Sequence, residues 1–476
     1  MKIYKLIIVT ILLQFALGGC TFLDPASRKE PEDLLPASYS QNRTRHANAD
    51  QWWREFNSPE LNQLVNEALG SNLNLQQAWA RLMQARASAV IAGADQFPDL
   101  NLSSDVSHAQ KRENTALGYR TNTIKERSLG LASQYEIDLW GRIRAGQKSA
   151  LFNKEATEKD LEAAAMSISA EVARNWIQII YALNRKKILN NQIKTNEKYL
   201  ELTRLRFVSG MNTALDILQQ KENLAGTRAL LPLTDSNRKK HARNLALLLA
   251  RPANKLPQCE RTTLPEPGPV PDTGIPAHIL QLRPDIRAAW KRLRQADWEV
   301  TAAKANLLPR ITLTARHEYS SDQYNTLFNN WINSLAAGLT APLFDGKRRV
   351  AEVERTKAVV QEKLSVYKET VLTAVKEVED AMDDEYWQRQ YIKKLQKKMD
   401  ASESALKQAR FQYLKGMSTY LPVLNELLSS QAIKLDLLTA RKDLLLSRIA
   451  LYRALGGTWT DNLEEKGLSR PAKDGK

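Results

Sequence analysis

The chain has 476 residues, of which 43% are hydrophobic, 26% charged and only 7% aromatic, and its formal net charge is +16. This length allows two or three ordinary domains, and the composition is typical of a protein built mainly from long polar helices. Lys and Arg are spread beside Glu and Asp along segments that read as helix. That distribution indicates solvated helix faces and argues against a nucleic-acid-binding protein, which would gather basic and aromatic residues into a patch.

The first twenty residues predict a bacterial lipoprotein signal. A short basic start precedes an apolar run over 6–17, which is too short to span a membrane as a helix. The run ends in LGGC, a branched apolar residue and two small residues before Cys20. We therefore expect a signal peptide over 1–19, diacylglycerol and an N-acyl chain (palmitate) on Cys20, and a lipid-anchored extension over 20–50. A chance cysteine after an ordinary signal peptide is the alternative. By resemblance to lipoprotein sorting, Thr21 after the cysteine favours the outer membrane.

The rest of the chain contains one further cysteine, Cys259. Once Cys20 is acylated, no intramolecular disulfide framework is expected, and Cys259 reads as an inert residue. No later segment offers about twenty continuous apolar residues, the length that a transmembrane helix needs. If the chain crosses a membrane, it must therefore do so with β-strands that close into a barrel.

The mature sequence contains an internal repeat. AWARLMQA at 78–85 matches AWKRLRQA at 289–296, and both are followed by alternating segments, long helical segments and a Gly-Met turn. The two predicted repeats occupy 51–250 and 276–457. A proline-rich linker, expected to be extended and unpacked, and a polar tail are assigned to 251–275 and 458–476.

Each repeat contains two segments in which polar and apolar residues alternate. The four predicted strands are 99–112, 126–139, 310–320 and 331–343. Period-two segments of about ten residues fit tilted barrel strands with an apolar outside and a polar inside. The connecting segments 113–125 and 320–330 are polar and read as loops. A soluble antiparallel sheet with one dry face is the alternative.

Two long helical hairpins follow the strand pairs, over 143–250 and 347–455. Neither Gly nor Pro occurs from Gln147 to Ser209 or from Lys347 to Lys415. At 1.5 Å per residue, each segment would form a helix of roughly 95–100 Å if it were continuous. Apolar positions at spacings of three and four residues argue for coiled-coil packing. Pro232 predicts a kink or break in the first return helix.

These elements predict an α+β membrane protein in which each half joins two strands to a helical hairpin. Four strands cannot close a barrel, because small closed barrels need about eight. Several chains must therefore share one barrel. On these grounds alone, a dimer with eight strands and a trimer with twelve are both allowed.

No constellation of residues predicts catalysis or metal binding. The acidic run over 377–385 reads as a solvated lining, and the five histidines lack the spacing of metal ligands. Phosphate loops, nucleophile elbows and ATPase motifs are missing from the sequence. We therefore expect no enzyme activity, no cofactor and no metal, so that energy for any transport must come from a partner. A non-conducting coiled-coil scaffold of the envelope is an alternative function.

The sequence resembles the TolC-like outer membrane factors of tripartite efflux pumps, in their lipoprotein (NodT-type) branch. The stretches that match the family lie in its order at 52–87, 135–146, 282–296, 341–349 and 454–459. The resemblance implies a homotrimer, with a twelve-stranded barrel in the outer membrane and a long α-helical barrel in the periplasm. It implies passive export of small molecules, with a periplasmic adaptor and a proton-driven inner-membrane transporter as partners. The outer-membrane duct of a type I protein secretion system is the alternative.

The resemblance also assigns roles to the two Gly-Met turns. It places the adaptor-binding periplasmic tip at Arg206, Phe207, Gly210, Met211, Asn212, Thr213, Gln412, Tyr413, Gly416, Met417, Ser418 and Thr419. Gly210 and Gly416 are expected to end helices with positive φ. Leu421 falls where relatives close the pore with Leu, and Asn425 falls where Asp is common, with Asp216 in the equivalent place of the first repeat. An uncharged Asn425 predicts a gate that depends less on cations than in relatives with Asp.

Overall fold

The computed structural model describes residues 24, 25, 28, 35, 36, 38, 39, 51–115, 118–257, 259, 261–271 and 276–463. Cys20, the predicted signal peptide and most of the predicted anchored extension lie outside this set. The chain divides into two compact units. Unit 1 is formed by the described residues of Met1–Glu30, Arg81–Glu158 and Ala288–Lys368. Unit 2 is formed by those of Pro31–Ala80, Lys159–Arg287 and Glu369–Lys476.

Helices and strands follow one another in two similar sets. The helices are α1 (Pro59–Ser71), α2 (Leu73–Ala94), α3 (Arg142–Val208), α4 (Ala214–Leu248), α5 (Ile279–Leu282), α6 (Pro284–Ala305), α7 (Arg348–Leu414) and α8 (Leu421–Leu455). The strands are β1 (Asn101–Thr115), β2 (Gly118–Ile137), β3 (Arg310–Ser321) and β4 (Trp331–Thr340). Helices α3 and α7 each have 67 residues, and α4 and α8 each have 35, so the second set repeats the first. Among the described helices, none is long and apolar enough to cross a membrane.

The four strands of unit 1 form one antiparallel sheet in the order β1-β2-β3-β4. Residues directly opposite each other on antiparallel strands share a face, so the register sorts the side chains. The face that we call the apolar face carries the pairs Leu102↔Leu131, Tyr135↔Leu313 and Ile311↔Leu339. The polar face carries the pairs Gln134↔Thr314, Gly130↔Glu318 and Arg316↔Ser334. Within the described residues, β1 and β4 each pair on one side only.

The prediction of a polar loop over 113–125 is wrong. Strand β1 continues to Thr115 and β2 begins at Gly118, so most of this segment is a paired β-hairpin. The segment has few apolar residues, which is why its alternation is hard to see in the sequence. Thr and Tyr nevertheless favour the extended backbone, and the ladder requires only main-chain groups. The other predicted loop, 320–330, contains a 3-10 helix, Tyr324–Asn329, as well as the last two residues of β3, Ser320 and Ser321.

Pro232 does not break the first return helix, because α4 runs through it from Ala214 to Leu248. A proline in a helix interior removes a hydrogen bond and costs about 3 kcal/mol. Contacts to α3 hold the helix on the far side of the proline: Asp235, one turn further on, accepts a hydrogen bond from Lys186 of α3 at 2.8 Å. The buried Thr234 lies between the two positions.

The described part of the linker, 251–257, 259 and 261–271, packs against the helices of unit 2, contrary to the prediction that the linker is unpacked. Arg448 of α8 donates hydrogen bonds to the main-chain oxygens of Pro269 at 2.8 Å and Gly268 at 3.2 Å. Burial raises the pKa of the Cys259 thiol to about 12, so very little reactive thiolate forms at neutral pH. The predicted polar tail also begins with packed structure, since Trp459 lies edge-on against Trp53 with ring centroids 4.8 Å apart.

Two acids of the 377–385 run are packed, so the prediction of a wholly solvated face is wrong. Glu385 is 1% exposed and binds Arg448, which is 2% exposed, through two hydrogen bonds of 2.5 and 2.8 Å. Glu377 accepts from Arg283 at 2.7 Å and from Arg453 at 3.1 Å. Removing one member of the buried Glu385–Arg448 pair leaves the other charge unpaired and costs about 3–5 kcal/mol. These pairs fix α7 against α8 in unit 2.

Candidate functional site

The first Gly-Met turn closes α3 with a left-handed glycine. Gly210 has φ +72°, a conformation that residues with a Cβ rarely adopt. The Met211 amide donates to the Arg206 carbonyl at 2.8 Å, and the Gly210 amide donates to the Phe207 carbonyl at 2.9 Å. This pair of hydrogen bonds is a Schellman motif, which satisfies carbonyls left free at a helix end.

The second turn repeats this geometry at the end of α7. Gly416 has φ +73°, so the positive φ expected at both glycines is confirmed. The Met417 amide donates to the Gln412 carbonyl at 2.9 Å, and the Gly416 amide donates to the Tyr413 carbonyl at 3.1 Å. Similar sequences, VSGMNTAL and LKGMSTYL, thus produce the same helix stop.

The two turns differ in how the next helix begins. Helix α4 starts with a capping box: the Thr213 hydroxyl accepts from the Asp216 amide at 3.3 Å, and the Asp216 carboxylate accepts from the Thr213 amide at 2.9 Å. Helix α8 starts after Tyr420, whose side chain makes no such cap. Asp216, a predicted gate residue, therefore holds its carboxylate against its own helix start.

Direct side-chain contacts join the turns to each other. The side chains of Asn212 and Tyr413 are within hydrogen-bond distance through both amide atoms, with Nδ2 at 2.8 Å and Oδ1 at 3.0 Å from the hydroxyl. The Arg206 guanidinium lies 4.3 Å from the centre of the Tyr413 ring. Tyr413 is buried, so this predicted tip residue supports the turns from inside and is not a surface contact.

A chain of buried amides continues from the turns between the helices of unit 2. The Tyr420 hydroxyl donates to Gln220 at 2.7 Å, and Gln220 donates to the Asn196 carbonyl at 2.8 Å. Asn196 accepts in turn from Gln431 at 2.7 Å and donates to Thr227 at 3.0 Å. Burial raises the pKa of Tyr420 above its usual range, which keeps this hydroxyl a donor. Residues of α3, α4 and α8 thus share one polar core.

Sequence reasoning missed these amides, although a signal for them exists. Leu189, Gln192, Asn196, Leu200 and Thr203 follow one another on α3 at spacings of three and four, and all five are buried. Polar residues at such positions would be unpaired in an apolar seam unless partners met them from other helices. The partners come from α4 and α8, far away in sequence, so no local pattern identifies them.

The remaining predicted tip residues divide into exposed apolar and polar side chains. Phe207, Met211 and Met417 are exposed large hydrophobic residues. Gln412 and Thr419 are exposed as well, and Ser418 is partly exposed. The two turns therefore present apolar side chains next to polar ones, around the buried Tyr413.

The predicted gate residues Leu421 and Asn425 lie one turn apart on the same face of α8. Leu421, Asn425, Leu428 and Ala432 follow at spacings of four, three and four, and all four are exposed. This spacing is that of a coiled-coil seam. In the part of the chain that the structure describes, no cluster of three or more His, Cys, Asp and Glu side chains could hold a metal ion.

Known proteins match the chain along most of its length. The family model described as outer membrane efflux protein matches residues 64–251 and 275–457. The pyoverdine export outer membrane protein OpmQ of Pseudomonas aeruginosa is 32% identical over 99% of both chains. The solved structure of the outer-membrane channel OprN covers 92% of this chain and 100% of its own, with 27% identity and a TM-score of 0.85. The solved structure of CusC covers 91% of this chain and 99% of its own, with 25% identity and a TM-score of 0.83. The chain belongs to the outer membrane efflux protein family.

Proposed function

We propose that the protein is the outer-membrane exit channel of a tripartite efflux pump. In this proposal, three copies form a twelve-stranded barrel in the outer membrane and an α-helical barrel in the periplasm. A periplasmic adaptor docks at the turns, and a proton-driven inner-membrane transporter supplies the energy. The observation that carries the proposal is the sheet of unit 1, which has one apolar face, one polar face and two open edges.

The open edges support a barrel that several chains share. In lipid, every main-chain N–H and C=O must be paired, so an open sheet edge is not tolerated there. Pairing β1 of one copy with β4 of the next would satisfy both edges. The two faces then receive different surroundings: the apolar face contacts lipid, and the polar face, with Lys111, Glu113, Arg316 and Glu318, lines a water-filled pore.

The surface of the two turns is evidence for the proposed periplasmic tip. Their exposed Phe207, Met211 and Met417 side chains offer apolar surface that a partner can cover. Residues Arg206, Gly210, Asn212, Thr213, Gln412, Tyr413, Gly416, Ser418 and Thr419 build or support the same surface. We propose that an adaptor hairpin packs there.

The exposed stripe on α8 supports a gate near the three-fold axis. Three copies of Leu421 would narrow the pore, and three copies of Asn425 would face one another without charge. Asn side chains in such a seam can hydrogen-bond to each other, whereas three Asp carboxylates would repel one another or bind a cation. The Asp216 carboxylate is held at the start of α4 by its hydrogen bond with the Thr213 amide, so we assign the gate to Leu421 and Asn425.

Cys20 fits this proposal as a lipid anchor, which acyl chains would hold in the outer membrane. Energy and substrate choice come from the partners, so the protein acts without a catalytic site or cofactor. The related OpmQ is named for pyoverdine export. We propose small molecules as cargo and assign their selection to the transporter.

The first experiment tests channel formation directly. Purified full-length protein is expected to run as a heat-resistant trimer in detergent and to give single-channel currents in planar bilayers, because the shared barrel encloses a water-filled pore. A folded trimer without current would contradict the channel and favour a scaffold. Deletion of the gene should also make cells more sensitive to exported compounds.

The second experiment tests the uncharged gate. Millimolar Mg²⁺ or Ca²⁺ is expected to change the current of the unaltered channel little, whereas Asn425→Asp should introduce block at low concentrations. The current of the Asp216→Asn variant should respond to these cations as the current of the unaltered channel does. A strong block of the unaltered channel that disappears in Asn425→Ala would refute the assignment.

The third experiment tests the contact between the turns. Tyr413→Phe keeps the buried ring but removes the hydroxyl that contacts Asn212. A hydrogen bond contributes about 1 kcal/mol, so the free energy of unfolding should fall by about that amount, measured as a lower midpoint of thermal unfolding in detergent. Tyr391→Phe, at an exposed position of the same helix, is the matched control. Equal unfolding midpoints in Tyr413→Phe and the unaltered protein would show that the contact does not stabilise the turns.

A further inference from the structure

We propose that one end of the apolar face binds the phosphate groups of lipopolysaccharide, the phosphorylated glycolipid of the outer leaflet. The site is formed by Arg112, Lys125 and Arg127 of the β1–β2 hairpin, with His108 beside them, and we call it the basic rim. The inference rests on the proposed placement of the sheet in the outer membrane. It adds a lipid partner that channel activity itself does not require.

The strand register sorts the charges of this hairpin by face. The pairs Val106↔Arg127, His108↔Lys125 and Arg112↔Thr121 alternate in phase with Leu102↔Leu131, so they lie on the apolar face. The carboxylates of Asp105, Glu113 and Glu126 all belong to the alternate pairs, on the polar face. Among the paired residues of β1 and β2, the apolar face therefore carries three permanent cations and no carboxylate.

The cations of the two faces also differ in their partners. On the polar face, Lys111 lies 2.5 Å from a Glu113 oxygen, and Arg316 pairs with Glu318. On the basic rim, the structure places the guanidinium groups against aromatic rings instead. Arg112 lies 4.3 Å from the centre of the Tyr119 ring, and Arg127 lies 4.0 Å from that of Tyr324.

Stacking leaves guanidinium donors available for an anion. A ring holds the plane of the guanidinium but uses none of its in-plane N–H groups. Arg127 donates one hydrogen bond to the Asp322 carbonyl and carries five N–H donors in all. A phosphate oxygen is the acceptor that such a fork binds best.

The basic rim lies at the level of lipid headgroups. From Ile137 to Leu129, β2 rises about 26 Å, or about 20 Å along the membrane normal at a strand tilt of about 40°. This is close to the apolar band of about 25 Å that faces lipid in outer-membrane barrels. Tyr319, opposite Leu129, and Trp331, opposite Tyr319, lie where interfacial aromatic residues are expected. Arg127 is the next residue of β2 on this face, and Lys125 follows it.

The direction of the sheet selects the outer leaflet. Strand β2 leads into α3 through four residues after Ile137, so the helices of unit 1 attach at the opposite end from the basic rim. With helices in the periplasm, the basic rim points to the cell exterior. The headgroups on that side are the phosphorylated sugars of lipopolysaccharide, whose charge is complementary to the rim.

The test compares two variants of the full-length protein that remove the same charge from opposite faces of one hairpin. Lys125→Gln/Arg127→Gln alters the basic rim, and Lys111→Gln/Arg120→Gln alters the polar face. Binding of bisphosphorylated lipid A to the purified protein is measured by native mass spectrometry. The rim variant should bind about thirty-fold more weakly, as two basic residues at an anionic membrane surface predict, and the control should stay within twofold of the unaltered protein.

Two further probes make the outcome decisive. Dephosphorylated lipid A should bind the unaltered protein as weakly as bisphosphorylated lipid A binds the rim variant. The proposal would be overturned if both variants lost the same amount of lipid A binding, or if the two forms of lipid A bound the unaltered protein equally well. Phosphatidylglycerol binding as tightly as bisphosphorylated lipid A would overturn the choice of glycolipid. Single-channel currents of the same preparations separate this result from the proposed function, because the rim variant should conduct normally.

Discussion

The outer backbone edges of β1 and β4, which pair with no other strand among the described residues, are the constraint on which the proposed assembly depends. A sheet with one apolar and one polar face can satisfy its side chains at a boundary between lipid and water, but its edge N–H and C=O groups still need partners. Other copies of the same edges are the simplest partners, because a symmetric ring leaves no edge unpaired. In the proposed channel, oligomerisation would therefore be a condition for membrane insertion and not a later addition.

Unit 2 meets a different constraint, which is how to pack long polar helices closely. Its solution is a set of buried polar contacts that are each satisfied: Asn196 with Gln431 and Thr227, and Glu385 with Arg448. Such networks contribute little net stability compared with apolar packing, but mispaired alternatives leave charges or amides without partners. The amides beneath the turns therefore fix which helix faces which, and Tyr420 connects that register to the second turn.

Local patterns in the sequence were sufficient to predict several features of the fold. Alternation predicted the strands, the absence of Gly and Pro predicted the long helices, and Gly210 and Gly416 predicted helix ends with positive φ. The resemblance to outer membrane efflux proteins is confirmed by the family model.

Features that depend on distant partners could not be predicted. The 113–125 hairpin is held by main-chain pairing, which leaves no apolar pattern. Glu385 reads as one more acid in a charged run until Arg448 is brought to it from 63 residues away. Asn196 is likewise explained only by side chains from two other helices.

Cross-linking between the open edges tests the shared barrel most directly. Cysteines would be placed in pairs, one on β1 and one on β4, in a Cys259→Ser background. If β1 of one copy pairs with β4 of the next, oxidation in membranes should produce covalent dimers that proceed to a covalent trimer as the end product. An end product that stops at the dimer, or only monomers with every pair tried, would contradict the proposed twelve-stranded trimer.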